Sequence, residues 1–172
     1  GVEVFIKNEG AQALWQELMT KGADLSVKAI CLGARDTLRT EMKFSLYGHE
    51  IDDTPNPIEA GLGWVIKPKK GDFIGRGPIV AKLEGGVNRK LIGFKLLDKG
   101  IPRADYELYS FDNVKMGKVT SGTLSPSLNE SIGIGYVSKE LATEGSEFFV
   151  NIRGRMVKAK VVKTPFVNPA KS

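Results

Sequence analysis

At 172 residues and 41% hydrophobic, the chain can bury a core without disulfide or metal staples, and its length suits one domain or two small ones. It carries a formal charge of +5, no run of apolar residues long enough for a membrane helix, and an opening, GVEVFIKNEG, without the basic-then-apolar layout of a secretory signal. One cysteine, Cys31, and one histidine, His49, exclude an internal disulfide framework and leave too few ligands for a structural zinc, so a reducing compartment is implied: cytoplasm, or an organelle matrix such as that of the mitochondrion.

The first element expected is a strand, because Val2, Val4 and Ile6 alternate. With no initiator methionine before it, the chain reads as the back part of something longer. Asn8 then offers a cap for a helix to Lys21, with Ala11, Leu14, Trp15 and Leu18 on one apolar face and Gly22 closing it. LSVKAICLG reads as a short buried strand, with Cys31 buried and inert inside it. Gly33 opens a second helix to about Lys43, on which Leu38 and Met42 share the buried side while Arg35 and Arg39 share another. YGHEIDDTPNP is loop, GLGWVIKPKK another strand, and GRGPIVAKLEGG a short helix with Pro78 tolerated in its first turn.

From Val87 onward the texture changes to short strand-like runs: RKLIGFKLL, YELYSF, VKMGKVTSGT, SIGIGYV, SEFFVNIRG and RMVKAKVVK. VNIRGRMVKAKVV predicts a hairpin turning at Gly154, with Val157, Ala159 and Val161 on one side and Lys158 and Lys160 on the other. The expected fold class is therefore α+β: a partial α/β unit of strands and helices over residues 1–86, then a small antiparallel β-barrel over 87–172. Charge divides at the same place. Residues 1–86 hold 11 Lys and Arg against 12 Asp and Glu, and residues 87–172 hold 14 against 8. The basic surface belongs to the β part and favours an acidic partner.

Few constellations carry chemistry. His49 has no Ser or Cys nucleophile near it in sequence and reads as a solvent-facing turn residue. GDFIGRGP lacks the Lys-Ser/Thr of a P-loop, and GIGYV does not fit the dinucleotide fingerprint. The lysine clusters lack the interleaved aromatics of a single-strand nucleic-acid platform, so nucleic acid is a poor candidate partner. Arg35 stands apart, since a guanidinium fork suits a fixed carboxylate or a carbonyl-rich ring edge. Within the helix, Arg35–Asp36 is adjacent and Arg39–Glu41 is two apart, neither a facing pair. That leaves Arg35 seeking a partner elsewhere, with Glu3 one candidate.

Read together, GVEVF, LGARDTLRTEMKFSLYGHEID, EAGLGWVIK, DFIGR, GIPRADYELY, GKVTSGTLSPSLNESIGIGYV and the terminal KTPFV resemble the second half of the glycine cleavage T-protein family, the aminomethyltransferases. The resemblance runs nearly end to end and implies folate chemistry. Such proteins move a one-carbon unit from the aminomethyl-lipoyl arm of the H protein to tetrahydrofolate, with release of ammonia, in glycine catabolism. It makes residues 1–86 the C-terminal part of a folate-binding α/β domain. It places Glu3 on the pterin edge and Arg35 at the same pocket, holding the ligand or orienting Glu3. No catalytic residue is carried over, because the family's catalytic aspartate lies in an N-terminal half without counterpart here; the chain by itself is expected to be inactive and to bind folate poorly. The resemblance implies no metal. The extreme C-terminus, NPAKS, is too degenerate to carry a residue over. Two other readings stand beside this one. One is the folate-binding tail of a sarcosine or dimethylglycine dehydrogenase-like protein; the other is a non-enzymatic module whose basic barrel docks RNA or an acidic protein.

Overall fold

A computed structural model describes residues 1–168, and Pro169–Ser172, with most of NPAKS, lie outside the described residues. Contacts group the chain into two units, Gly1–Arg35 and the residues from Asp36 onward.

In the first unit, α1 (Asn8–Lys21) ends where expected, with Gly22 donating its N–H to the Leu18 carbonyl at 2.9 Å. The cap residue is Lys7 rather than Asn8, and no side chain caps the helix. Gly22 is required by a close approach: a Cβ there would sit 2.6 Å from Val27 Cγ2 and 2.5 Å from the Leu18 carbonyl oxygen. The chain folds back through a 3-10 turn at Ala23–Leu25. Leu14, Leu18, Leu25 and Val27 then line an open apolar cavity of about 380 Å³.

Two strands expected in this unit do not form. Residues 1–7 belong to no element, and Leu25–Cys31 holds the end of the 3-10 turn followed by unpaired chain. A strand is completed only by a neighbour that takes its N–H and C=O groups, and none of the described strands pairs with either segment. Their apolar residues are consequently exposed: Val2 at 94%, Phe5 at 91% and Ile30 at 67%. Cys31 is exposed for the same reason, not buried as expected. The stripe on α1 exists but is uncovered, Trp15 and Leu18 being about half exposed.

α2 (Leu32–Glu41) begins one residue before Gly33 and stops two short of Lys43. Its buried residues are Arg39, Thr40 and Glu41, whereas Leu38, expected inside, is 54% exposed. GLGWVIKPKK is not a strand: Gly63–Val65 and Pro68–Lys70 are single 3-10 turns. Proline at 68 has no N–H to donate to a ladder, and glycine at 61 and 63 weakens strand preference. α3 (Arg76–Gly85) carries Pro78 in its first turn, as expected.

The remainder is a closed, fully antiparallel barrel of β1 (Arg89–Leu96), β2 (Glu107–Tyr109), β3 (Lys115–Ser125), β4 (Glu130–Ser138), β5 (Glu147–Ile152) and β6 (Arg155–Val162). Neighbours run β1-β4-β3-β2-β5-β6 and close back on β1. The molecule is thus of mixed α+β class, with all six strands at the expected segments. β5 and β6 are joined by Arg153 and Gly154, both at positive φ between the paired Ile152 and Arg155, the two-residue turn that matches strand twist. Val157, Ala159 and Val161 point inward and are buried, while Lys158 and Lys160 alternate outward. The core is filled by Phe94, Leu108, Val119, Val137, Phe148 and Val150, with Phe94 and Phe148 edge-to-face at 5.3 Å. Gly133 makes room for Phe94: a Cβ there would lie 2.3 Å from the ring.

Candidate functional site

Glu3 lies in the unstructured opening segment and Arg35 on the first turns of α2, both in the first unit and both exposed. Neither side chain is hydrogen-bonded or ion-paired among the described residues, so no contact joins them here.

The second unit contains a polar network that local sequence reasoning missed. Three carboxylates nine residues apart, Glu41, Glu50 and Glu59, are all buried, and each binds the barrel. Glu41 ends α2 and takes bonds from the Ser127 hydroxyl of the β3–β4 turn at 2.9 Å and from the hydroxyl of Ser125, the last residue of β3. Its own carbonyl accepts the Phe166 N–H at 2.9 Å. Glu50 accepts from the Thr120 hydroxyl on β3 at 2.7 Å and from the Leu46 N–H at 3.0 Å. Its backbone carbonyl accepts the Tyr136 hydroxyl of β4 at 2.8 Å. Glu59 meets Arg89 Nε on β1 at 3.1 Å and Lys82 of α3 at 3.6 Å.

Arg39 is the cation at the centre. Its Nη1 donates to Glu50 Oε2 at 2.6 Å, its Nη2 to Ser121 Oγ at 2.8 Å, and its Nε to Asp36 Oδ1 at 2.8 Å. The last bond corrects the expectation that this helix holds no facing pair: Arg39 and Asp36 are three apart, a proper helical spacing. Arg39 thus serves the fold, and the stretches DTLRTE, YGHEID and TSGTLSPS are complementary parts of one joint. His49 is exposed in a turn, as expected, with Nδ1 3.3 Å from the Thr120 carbonyl. Burial pushes the Tyr136 phenol up to about 12, against the pull of Arg89, whose guanidinium stacks 4.9 Å from the ring.

Lys43 differs from the other lysines. It follows α2 with φ +54, a left-handed value that a residue with a Cβ rarely adopts. Its ammonium has no ion pair or hydrogen bond among the described residues, and burial lowers its pKa despite the opposing charge of Glu50. It lines two cavities, of about 430 and 270 Å³.

The comparisons with known proteins agree with this architecture. Residues 1–70 match the family described as the GCVT N-terminal domain, and residues 89–168 match the glycine cleavage T-protein C-terminal barrel domain. The first match covers the helices and turns up to Lys70, and the second covers the barrel from Arg89 onward. A protein named aminomethyltransferase from Bdellovibrio bacteriovorus is 62% identical over 97% of this chain and 46% of its own length. One of the same name from Phocaeicola vulgatus is 47% identical over 96% and 46%. The crystal structure of the glycine cleavage system aminomethyltransferase T from Bartonella henselae superposes with a TM-score of 0.84 at 32% identity, covering 92% of this chain and 44% of that one. The chain belongs to the glycine cleavage T-protein family. It spans about half the length of the curated relatives it matches.

Proposed function

We propose that the chain is the barrel-bearing part of a tetrahydrofolate-dependent aminomethyltransferase of the glycine cleavage system. In that reaction the lipoyl-carrying H protein delivers an aminomethyl group, tetrahydrofolate accepts the one-carbon unit, and ammonia leaves. The observation that carries this reading is the 62% identity to a named aminomethyltransferase across nearly the whole chain. Tetrahydrofolate and the H protein follow from the family resemblance. Within it, Glu3 accepts paired N–H donors from the pterin edge and Arg35 holds the ligand's polar groups. Two exposed charges with no partner among the described residues are what such roles require, because a group not already engaged is free to make charge-assisted bonds. The division near Gly86 then separates a folate-contributing part, residues 1–86, from an H-protein-facing barrel, residues 87–172. The family's catalytic aspartate belongs to the half without counterpart here, so the chain alone is inactive.

Calorimetry with tetrahydrofolate tests the reading. Weak or no binding is expected for the chain alone, and measurable binding once it is joined to the preceding half of the 62% identical relative. Glu3→Ala should then remove most of that affinity; unchanged affinity would take Glu3 out of the site. For the H protein, reversal of Lys160 to Glu is a cleaner probe than Lys158, which is already engaged by Glu147 at 2.7 Å and lies over the Phe111 ring. Carrier-dependent turnover of the joined enzyme unaffected by that reversal would refute the barrel contact. A salt titration against generic RNA separates the non-enzymatic reading, since phosphate binding weakens steeply with salt.

A further inference from the structure

Lys43 sits where two cavities of the second unit meet. The larger is walled by Met42, Ile51, Leu62 and Trp64, the smaller by Gly93 and Val161 with Glu144 and Lys163. Gly61 lies beside the amine: a Cβ built there would be in ordinary van der Waals contact with Nζ, at 3.8 Å. Several cations withdrawn from solvent in the second unit have an anion: Arg39 of α2 has Glu50, and on the barrel Lys158 has Glu147 and Lys95 has Glu130. Lys43 has none. An ammonium withdrawn from water without a partner is costly, and loss of its proton relieves the cost.

We propose that Lys43 is an acylation site, whose side-chain amine takes a short apolar acyl group from a thioester donor, the acyl chain lying against Met42, Ile51 and Leu62. The neutral Nζ attacks the thioester carbonyl. The C–N bond forms as the C–S bond breaks, the thiolate leaves, and the surplus amine proton passes to water. The product is an uncharged amide, which removes the desolvation penalty that the free ammonium carries. The charges facing the amine are Glu50, which favours its protonation, and Glu144 and Lys163 across the smaller cavity. By contrast Lys115, paired with Glu107 on the barrel surface, has its pKa raised and is a poor nucleophile at neutral pH. This inference does not depend on the proposed transferase activity.

The test uses the folded wild-type chain and limiting S-acetyl-N-acetylcysteamine near neutral pH. The remaining amines are then labelled exhaustively with a heavy acetyl reagent after unfolding, and each lysine's light fraction is read by mass spectrometry. Lys43 should exceed Lys115 and the exposed Lys139 by at least about threefold, as expected for a desolvated amine with a larger neutral fraction. The preference should vanish when the light step is run on urea-unfolded chain. A Lys43 fraction at or below that of Lys139 overturns the proposal. So does a preference that survives unfolding, because its cause would then be local sequence rather than the folded cavity.

Discussion

Removing Arg39 is the sharpest probe of the joint between the second helix and the barrel. In Arg39→Ala, Glu50 keeps its bonds from Thr120 and the Leu46 N–H but loses the one cation among the described residues within salt-bridge distance, and its side chain is 0% exposed. The bond to Asp36 adds little, because that carboxylate is 52% exposed and surface pairs contribute about 0–1 kcal/mol. Leaving a buried carboxylate unpaired costs about 3–5 kcal/mol. With a urea m-value of about 2 kcal/mol/M, the unfolding midpoint of the barrel unit should fall by about 2 M. Far-UV circular dichroism in urea follows it, since the strands dominate that unit. The double variant Arg39→Ala with Glu50→Gln should recover part of the loss, giving a coupling of about 2 kcal/mol against the two single variants, because the uncompensated charge is gone. A single-variant loss below about 1 kcal/mol, or strict additivity in the double, would show that the pair behaves as a solvated surface bridge and refute the reasoning.

Three further outcomes are expected. Tyr136 keeps its proton in the fold up to about 12 while an unfolded tyrosine loses it near 10, so its contribution is intact below pH 10 and is lost as pH rises from 10 to 12. Tyr136→Phe should lower stability by about 1 kcal/mol at neutral pH and flatten the alkaline fall, read by denaturation at stepped pH. Gly133→Ala should cost about 1–3 kcal/mol, because its methyl group would enter the Phe94 ring; a thermal midpoint unchanged from wild type would contradict the contact. Cys31, being exposed, should react with one equivalent of Ellman's reagent in the native protein at the rate seen in urea; protection until unfolding would place it inside.

The barrel was legible because its signals are local. Alternation at Val157, Ala159 and Val161 against Lys158 and Lys160 states which side is inside, and Gly154 marks the turn. The α2 face was not legible. Its periodicity favours Leu38, but the positions that are buried carry Arg39, Thr40 and Glu41, whose partners Ser121 and Ser125 lie more than eighty residues away. No window of neighbouring residues contains that information. The strands expected at residues 2–6, 25–33 and 61–70 failed for a related reason. Strand propensity expresses how well a side chain suits a paired, half-covered surface, and these segments have no pairing partner among the described strands. Glu3 and Arg35 came from motif resemblance, with residue chemistry consistent with it. The one composition-level hint of the joint was the acidic surplus of residues 1–86, which the three buried carboxylates partly account for.

Those carboxylates have a practical consequence for anyone wishing to isolate the barrel. A cut at the apparent change of texture near Gly86 would strip Arg89, Ser125 and Tyr136 of their acceptors, leave Thr120 only the Ile134 carbonyl, and open three polar sockets on the barrel wall. A minimal stable version should instead start no later than Asp36, carrying the helix end and the acidic loop along as an integral brace.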